Sequence, residues 1–279
     1  MRDLRSLLDE DLVFGDTTTQ LLVPSGRIVK AFVVSREPGV LAGVEEATQL
    51  LSWAGIHILG SKRDGETIKA GEKVLEVEGD ARKVLMVERT ILNLLGRMSG
   101  VATLAKEFLD RARRVNPNIR VATTRKTLPG FRYYDKKAAQ LGGCDTHRFC
   151  LGDGILIKDN HIKIVGSIRR CIEKAREASF VRKIEIEVEK PEEALEAAKS
   201  GVDIIMLDNM PPEEIRKTLS MLERENLREK VLVEASGGIN LENLENYVAT
   251  GVDVVSIGIL TKSARWLDFS LEIETVTSG

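Results

Sequence analysis

Aromatic residues are scarce, at 4% of 279 positions, and there are only three cysteines and three histidines. Cys144, Cys150 and Cys171 are too few and too scattered for a disulfide framework or a tetrahedral zinc site. No apolar run is long enough to cross a bilayer, and the first 16 residues lack the apolar core of a secretory signal. The expectation is a cytoplasmic chain with reduced thiols and no membrane partner. Nor does one sign of charge prevail: 41 Lys and Arg stand against 43 acids, a net charge of −2. That balance argues against a nucleic-acid partner, which would call for a basic excess. What is abundant is core-building material, 43% hydrophobic residues over a length suited to two domains or one large α/β unit, so disorder is excluded.

The first hundred residues mix both element types. RIVKAFVVS (27–35) is a β-branched run that predicts a strand, and VEEATQLLSWAG (44–55) has helix-spaced apolar residues ending at a glycine. Between 64 and 79, short apolar stretches bounded by glycine suggest a hairpin. Helical periodicity then holds from Ala81 to about Val115, with Gly96 and Gly100 suggesting two helices around a break.

After residue 120 the rhythm changes. Six apolar runs, VATT, GILIKD, IEIEV, DIIMLD, VLVEAS and DVVSIG, begin at 121, 154, 184, 203, 231 and 253. Helix-like segments such as PEEALEAAKSG (191–201) separate the later ones, with proline at the start and glycine at the end. This alternation predicts βα units and a parallel barrel-like sheet. Finally, Leu267, Phe269, Leu271 and Ile273 alternate with polar residues, the period of a half-buried strand that suits an antiparallel sheet. The expected domains are 1–103 with 266–279, and 104–265.

The ends of the six runs carry the polar chemistry: Arg125 and Lys126, Lys158, Glu187, Asp208, Ser236 with Gly237, and Ser256 with Gly258. In a βα barrel the C-terminal strand ends share one face, where catalytic groups collect. The stretch 120–163 holds nine Lys and Arg against four Asp, with two of the three histidines, His147 and His161. Lys136 and Lys137 fit a solvated helix face, but Arg125, Lys126 and Lys158 at strand ends point to anion binding. Glu187 and Asp208 on neighbouring runs could hold Mg²⁺ against a pyrophosphate, since hard divalent ions take carboxylates and water, or could serve as general acid and base. The glycines of ASGGI and SIG suit loops that cradle a phosphate.

These segments resemble a known family. ATTRKTLPGFR (122–132), GGCDTHR (142–148), LIKDNH (156–161), IMLDNM (205–210), EASGGI (234–239) and SIGILTKSA (256–264) are similar to quinolinate phosphoribosyltransferases. So are GDTTT (15–19), GVLAG (39–43) and ERTILNLLGRMSGVAT (88–103). The resemblance implies an N-terminal open-faced α/β sandwich domain plus an incomplete, TIM-like α/β barrel. It implies the decarboxylating transfer of phosphoribose from phosphoribosyl pyrophosphate to quinolinate, in a homodimer with shared active sites, alone or stacked as a hexamer. Carried over by motif, Arg125, Lys126, His147, Arg148 and Lys158 would meet the quinolinate carboxylates, with Arg89 supplied by the partner subunit. Lys126, Lys158, Glu187 and Asp208 would be the catalytic set, Glu187 and Asp208 would hold Mg²⁺, and Ser236, Gly237 and Gly258 would line the phosphate loops. Arg97, Arg132 and His161 would support the structure around them. Lys262 stands where the family carries histidine, Thr146 where it carries asparagine and Cys144 where it carries glycine. A relative acting on another acceptor, such as nicotinate, and an anion sensor on the same scaffold are the alternatives.

Overall fold

The computed structural model describes residues 4–278 and divides into two compact units. One takes in residues up to Lys106, Pro129–Gly143 and the chain from Ser263; the other takes in Glu107–Leu128 and Cys144–Lys262. The strands are β1 (Arg27–Ser35), β2 (Gly39–Val40), β3 (His57–Ser61), β4 (Thr67–Ile68), β5 (Lys73–Asp80), β6 (Arg120–Ala122), β7 (Ile155–Ile157), β8 (Ile184–Val188), β9 (Ile204–Asp208), β10 (Leu232–Ser236), β11 (Val254–Ser256) and β12 (Phe269–Ser278).

In the first unit four antiparallel strands lie in the order β12-β1-β5-β3. The final strand runs along β1, from Arg27 opposite Ser278 to Ser35 opposite Phe269. The segment read as a hairpin splits: β4 pairs with β2 in a separate two-stranded sheet, while β5 joins β1 and β3. Gly71, at φ +81°, turns the chain between them, and its N–H donates to the Ser35 carbonyl at 2.7 Å.

The break expected near Gly96 and Gly100 is absent. One 35-residue helix runs from Ala81 to Val115. Both glycines serve close approach: a Cβ on Gly100 would lie 1.9 Å from the Arg265 carbonyl oxygen, and one on Gly96 would lie 2.8 Å from that of Leu267. On the next helix of this unit, Arg132–Leu141, Lys136 is buried, against the solvated face expected of it. Lys137 pairs with Glu45 and Glu46 at 2.6 and 2.7 Å. Asp135 in the same helix holds the guanidinium of Arg97 at 2.9 Å, fully inside the unit.

In the second unit six parallel strands lie in the order β6-β11-β10-β9-β8-β7. Among the described residues β6 and β7 do not pair, so the barrel stays open there. Residues near Asp145 stand in beside β6: the Asp145 N–H donates to Val121 at 2.8 Å, and its carbonyl accepts from Thr123 at 2.9 Å. Arg120 grips the Asp145 carboxylate with two bonds, at 2.8 and 2.7 Å. The strands are largely apolar, as strands covered on both faces require: Ile186, Ile205, Leu207, Val233, Ala235 and Val255 are buried, interrupted by the buried acids Glu185 on β8 and Glu234 on β10.

Candidate active site

The β-strand period of two sends alternate side chains into the barrel, and those nearest the C-terminal strand ends open on a cleft of about 350 Å³. Arg125, Lys126, His147, Arg148, Lys158, Glu187, Asp208 and Ser236 all line it, so residues spread over more than a hundred positions converge on one mouth. Gly237 and Gly258 sit in the adjoining loops. Arg89 is exposed on the long helix of the other unit.

The cationic side of the cleft comes from the segments after β6 and beside it. Arg125 lies three residues past the end of β6, and its Nε is buried with no hydrogen-bond partner. Arg148 lies across from it; burial, and then the charge of Arg125, lower its pKa from the ordinary guanidinium value. A guanidinium whose charge is disfavoured by a cationic neighbour makes a site for an anion. Lys126 is exposed, with its carbonyl fixed by the Thr261 hydroxyl at 2.9 Å.

The chain reaches Arg148 through an unusual turn. His147 has φ +51°, in the left-handed region, and its Nδ1 accepts the Arg148 amide at 2.8 Å. Nε2 faces two buried acids, Glu185 at 3.3 Å and Glu234 at 3.5 Å. Burial opposes charge on the ring, while the two acids outweigh it and draw the pKa upward. A proton on Nδ1 would collide with the Arg148 N–H, however, so the observed geometry is that of a ring protonated at Nε2 alone. Burial raises the pKa of Glu185, with the charge of Glu234 acting the same way and the His147 hydrogen bond opposing.

The opposite side of the cleft is acidic. Lys158 pairs with Glu187 at the end of β8. His161 holds the Lys158 main chain, its Nδ1 accepting the Lys158 amide at 2.9 Å. Asp208 ends β9; burial first, and the Glu187 charge second, raise its pKa. The Asn209 side-chain amide donates to Asp208 Oδ2 at 2.7 Å, and the Asn209 backbone N–H donates to the Ser236 carbonyl at 2.8 Å. Gly237 packs against that asparagine at φ +95°, where a Cβ would lie 2.3 Å from Asn209 Oδ1. Gly258 starts the short helical turn 259–262, its carbonyl accepting the Lys262 amide at 3.0 Å. Lys262 is exposed and does not line the cleft.

Ser256, expected among the polar strand ends, closes β11 with a buried hydroxyl that has no partner and lines the cleft. One feature was not anticipated. Glu234 is buried on β10 against His147; the trace it leaves in the sequence is a lone acid inside the apolar run VLVEAS.

An open parallel α/β barrel with a doubly cationic cleft and two carboxylates at its strand ends defines a barrel enzyme acting on a small polyanion. The chain belongs to the quinolinate phosphoribosyl transferase family: residues 16–99 match its N-terminal domain and residues 101–272 its C-terminal domain. It is 52% identical over 271 residues to a probable nicotinate-nucleotide pyrophosphorylase (carboxylating) of Methanothermobacter thermautotrophicus, with 97% of each chain covered. It is 41% identical to the nicotinate-nucleotide pyrophosphorylase (carboxylating) of Mycobacterium leprae, over 97% of this chain and 95% of that one. The structure of nicotinate-nucleotide pyrophosphorylase from Francisella tularensis matches with a TM-score of 0.90 at 34% identity, covering 97% of this chain and 94% of that one.

Proposed function

We propose that the chain transfers phosphoribose from phosphoribosyl pyrophosphate to the ring nitrogen of quinolinate, releasing pyrophosphate and CO₂ and leaving nicotinate mononucleotide. The observation that carries this reading is the pair Arg125 and Arg148 lining one cleft, the first with an unpartnered buried Nε and the second with its charge disfavoured by burial and then by its neighbour. A monocarboxylate would satisfy one guanidinium. A dicarboxylate satisfies both, because each arginine offers a planar fork to one carboxylate. Lys126 and Lys158 add positive charge to the cleft and His147 holds the turn into Arg148, with Arg89 of a second copy closing the site in a cytoplasmic homodimer. The exposure of Arg89 supports that shared arrangement.

The acids fit a hard cation on their donor chemistry. Glu187 and Asp208 offer carboxylate oxygens from adjacent strands, without thiolate or imidazole. Those two residues would hold Mg²⁺, which when bound neutralises pyrophosphate oxygens. The remaining work falls to the chain itself. Lys158 and Lys126 face the phosphates, and the Ser236 hydroxyl with the Gly237 and Gly258 loops lets a phosphate approach the backbone.

The bond from ribose C1 to pyrophosphate breaks as the bond to the ring nitrogen forms, with positive charge developing on the sugar. Fixed positioning and electrostatics account for such a step without a covalent enzyme intermediate. The ring nitrogen is then cationic. When the adjacent carboxylate leaves as CO₂, its bonding electron pair stays on the ring carbon next to that nitrogen, where a proton is taken up. The alkylated ring is its own electron sink, so no organic cofactor is required. The test is release of CO₂ from carboxyl-labelled quinolinate with phosphoribosyl pyrophosphate and Mg²⁺, with nicotinate run in parallel. Release that depends on both substrates is expected; turnover of nicotinate alone would overturn the reading.

A further inference from the structure

The inside of the barrel carries charge where such barrels carry branched aliphatic side chains. Along β8 and β10 the inward positions follow each other two residues apart, Glu185 then Glu187, and Glu234 then Ser236. Glu187 and Ser236 line the cleft. Glu185 and Glu234 lie one layer deeper and border a second cavity of about 410 Å³ toward the N-terminal strand ends. They are only 6% and 2% exposed. In each, one carboxylate oxygen faces His147 Nε2 and the other is buried without a partner. Replacing buried ionic groups by apolar ones of similar size is often neutral or stabilising. Packing alone is therefore a poor reason for these two acids.

Their common partner supplies a better one. His147 occupies a left-handed turn that a side chain with a Cβ resists. The turn is locked from both ends of the ring: Nδ1 takes the Arg148 amide, and Nε2–H is directed at the two acids. With both nitrogens engaged inside the protein, the ring acts on the cleft through the residue after it. Thr123, just past the end of β6, completes the frame: its hydroxyl donates to the Thr146 carbonyl at 2.7 Å.

We propose that Glu185 and Glu234 are positioning residues that hold the His147 imidazole, and through it the turn that presents the Arg148 guanidinium to the substrate's carboxylate. This rests on the reading that the cleft binds an aromatic dicarboxylate. The acids touch neither substrate nor reacting atoms. They set the affinity for the acid half of the reaction and leave the phosphoribosyl half alone.

The experiment measures three quantities on the full-length chain: the dissociation constant of quinolinate by calorimetry, the KM for phosphoribosyl pyrophosphate, and the thermal midpoint. The main variant is Glu234→Gln, which keeps the shape and removes the charge; Glu185→Gln is its companion. Each is expected to weaken quinolinate about tenfold, the scale of a lost charge-assisted contact, with the KM for phosphoribosyl pyrophosphate within twofold and the thermal midpoint unchanged or raised. A second pair covers the case in which the acid variants do not fold. His147→Asn is expected to bind quinolinate more tightly than His147→Ala, because asparagine tolerates the left-handed turn. Unchanged quinolinate affinity in the Gln variants would overturn the proposal, as would equal losses for both substrates accompanied by a lower midpoint. So would His147→Asn behaving like His147→Ala. Failure of the wild-type chain to bind quinolinate at all is a different result, and overturns the substrate reading itself.

Discussion

Replacing Gly237 by alanine should damage fold and activity together, and by an amount the loop geometry fixes. Gly237 has φ +95°, where an L side chain costs about 1–2 kcal/mol. Its added Cβ would lie 2.3 Å from Asn209 Oδ1, 2.6 Å from Cγ and 2.7 Å from the Asn209 backbone nitrogen. The side chain can swing aside, but the backbone nitrogen is tied to the Ser236 carbonyl at 2.8 Å. Forcing that contact apart adds about 1–3 kcal/mol, the usual cost of overpacking. Gly238 next door provides the control. It too has positive φ, at +64°, but nothing lies within 4 Å of its Cβ position, so Gly238→Ala carries the backbone strain alone. Urea unfolding should therefore place Gly237→Ala below Gly238→Ala by about 1–3 kcal/mol. Activity should separate them further, because Asn209 also donates to Asp208 Oδ2 at 2.7 Å and drags that carboxylate with it. Misplacing a catalytic group by about 1 Å costs on the order of 100-fold in rate. Steady-state kinetics with phosphoribosyl pyrophosphate varied would show this. Two variants of equal stability and equal kcat/KM would refute the argument.

Other perturbations test different parts of the molecule. Asp135→Asn removes the charge opposite the Arg97 guanidinium, which is almost fully buried, and should cost about 3–5 kcal/mol in denaturant unfolding; Arg97→Met with Asp135→Leu should recover most of it. Arg125→Lys keeps the charge but loses the planar fork, and should raise the KM for quinolinate by about tenfold while sparing that for phosphoribosyl pyrophosphate. If sites are shared between copies, mixing the inactive Arg89→Ala and Lys158→Ala proteins under subunit exchange should restore activity, and confirmed hybrids without activity would exclude sharing. Burial pushes the Cys144 thiol up to about 12, so almost none of it is thiolate at pH 8. Iodoacetamide on the native protein at that pH should label exposed Cys150 and leave Cys144 unmodified until the chain unfolds, as peptide mass spectrometry would read out.

The barrel and most of its cleft were legible because strands covered on both faces must be apolar throughout. A polar residue closing such a run then marks the strand's end and the mouth together. Arg125, Lys158, Glu187, Asp208 and Ser236 were all found by that reasoning. What stayed hidden depends on a distant partner. Gly96 and Gly100 look like a helix break because local preference disfavours glycine in a helix. Only the Arg265 and Leu267 carbonyls that the helix must approach explain them. Lys136 reads as solvent-facing from its neighbours, yet it is buried. Glu185 and Glu234 break the apolar rule inside a run rather than at its end, and a run-ending criterion passes over them. An acid inside an otherwise apolar barrel strand is disfavoured by burial wherever it occurs, so its presence implies a partner across the barrel. Here that partner is His147, the residue that turns the chain into Arg148. Polar strand ends mark the mouth, and one layer down interior charges mark what holds the mouth in shape.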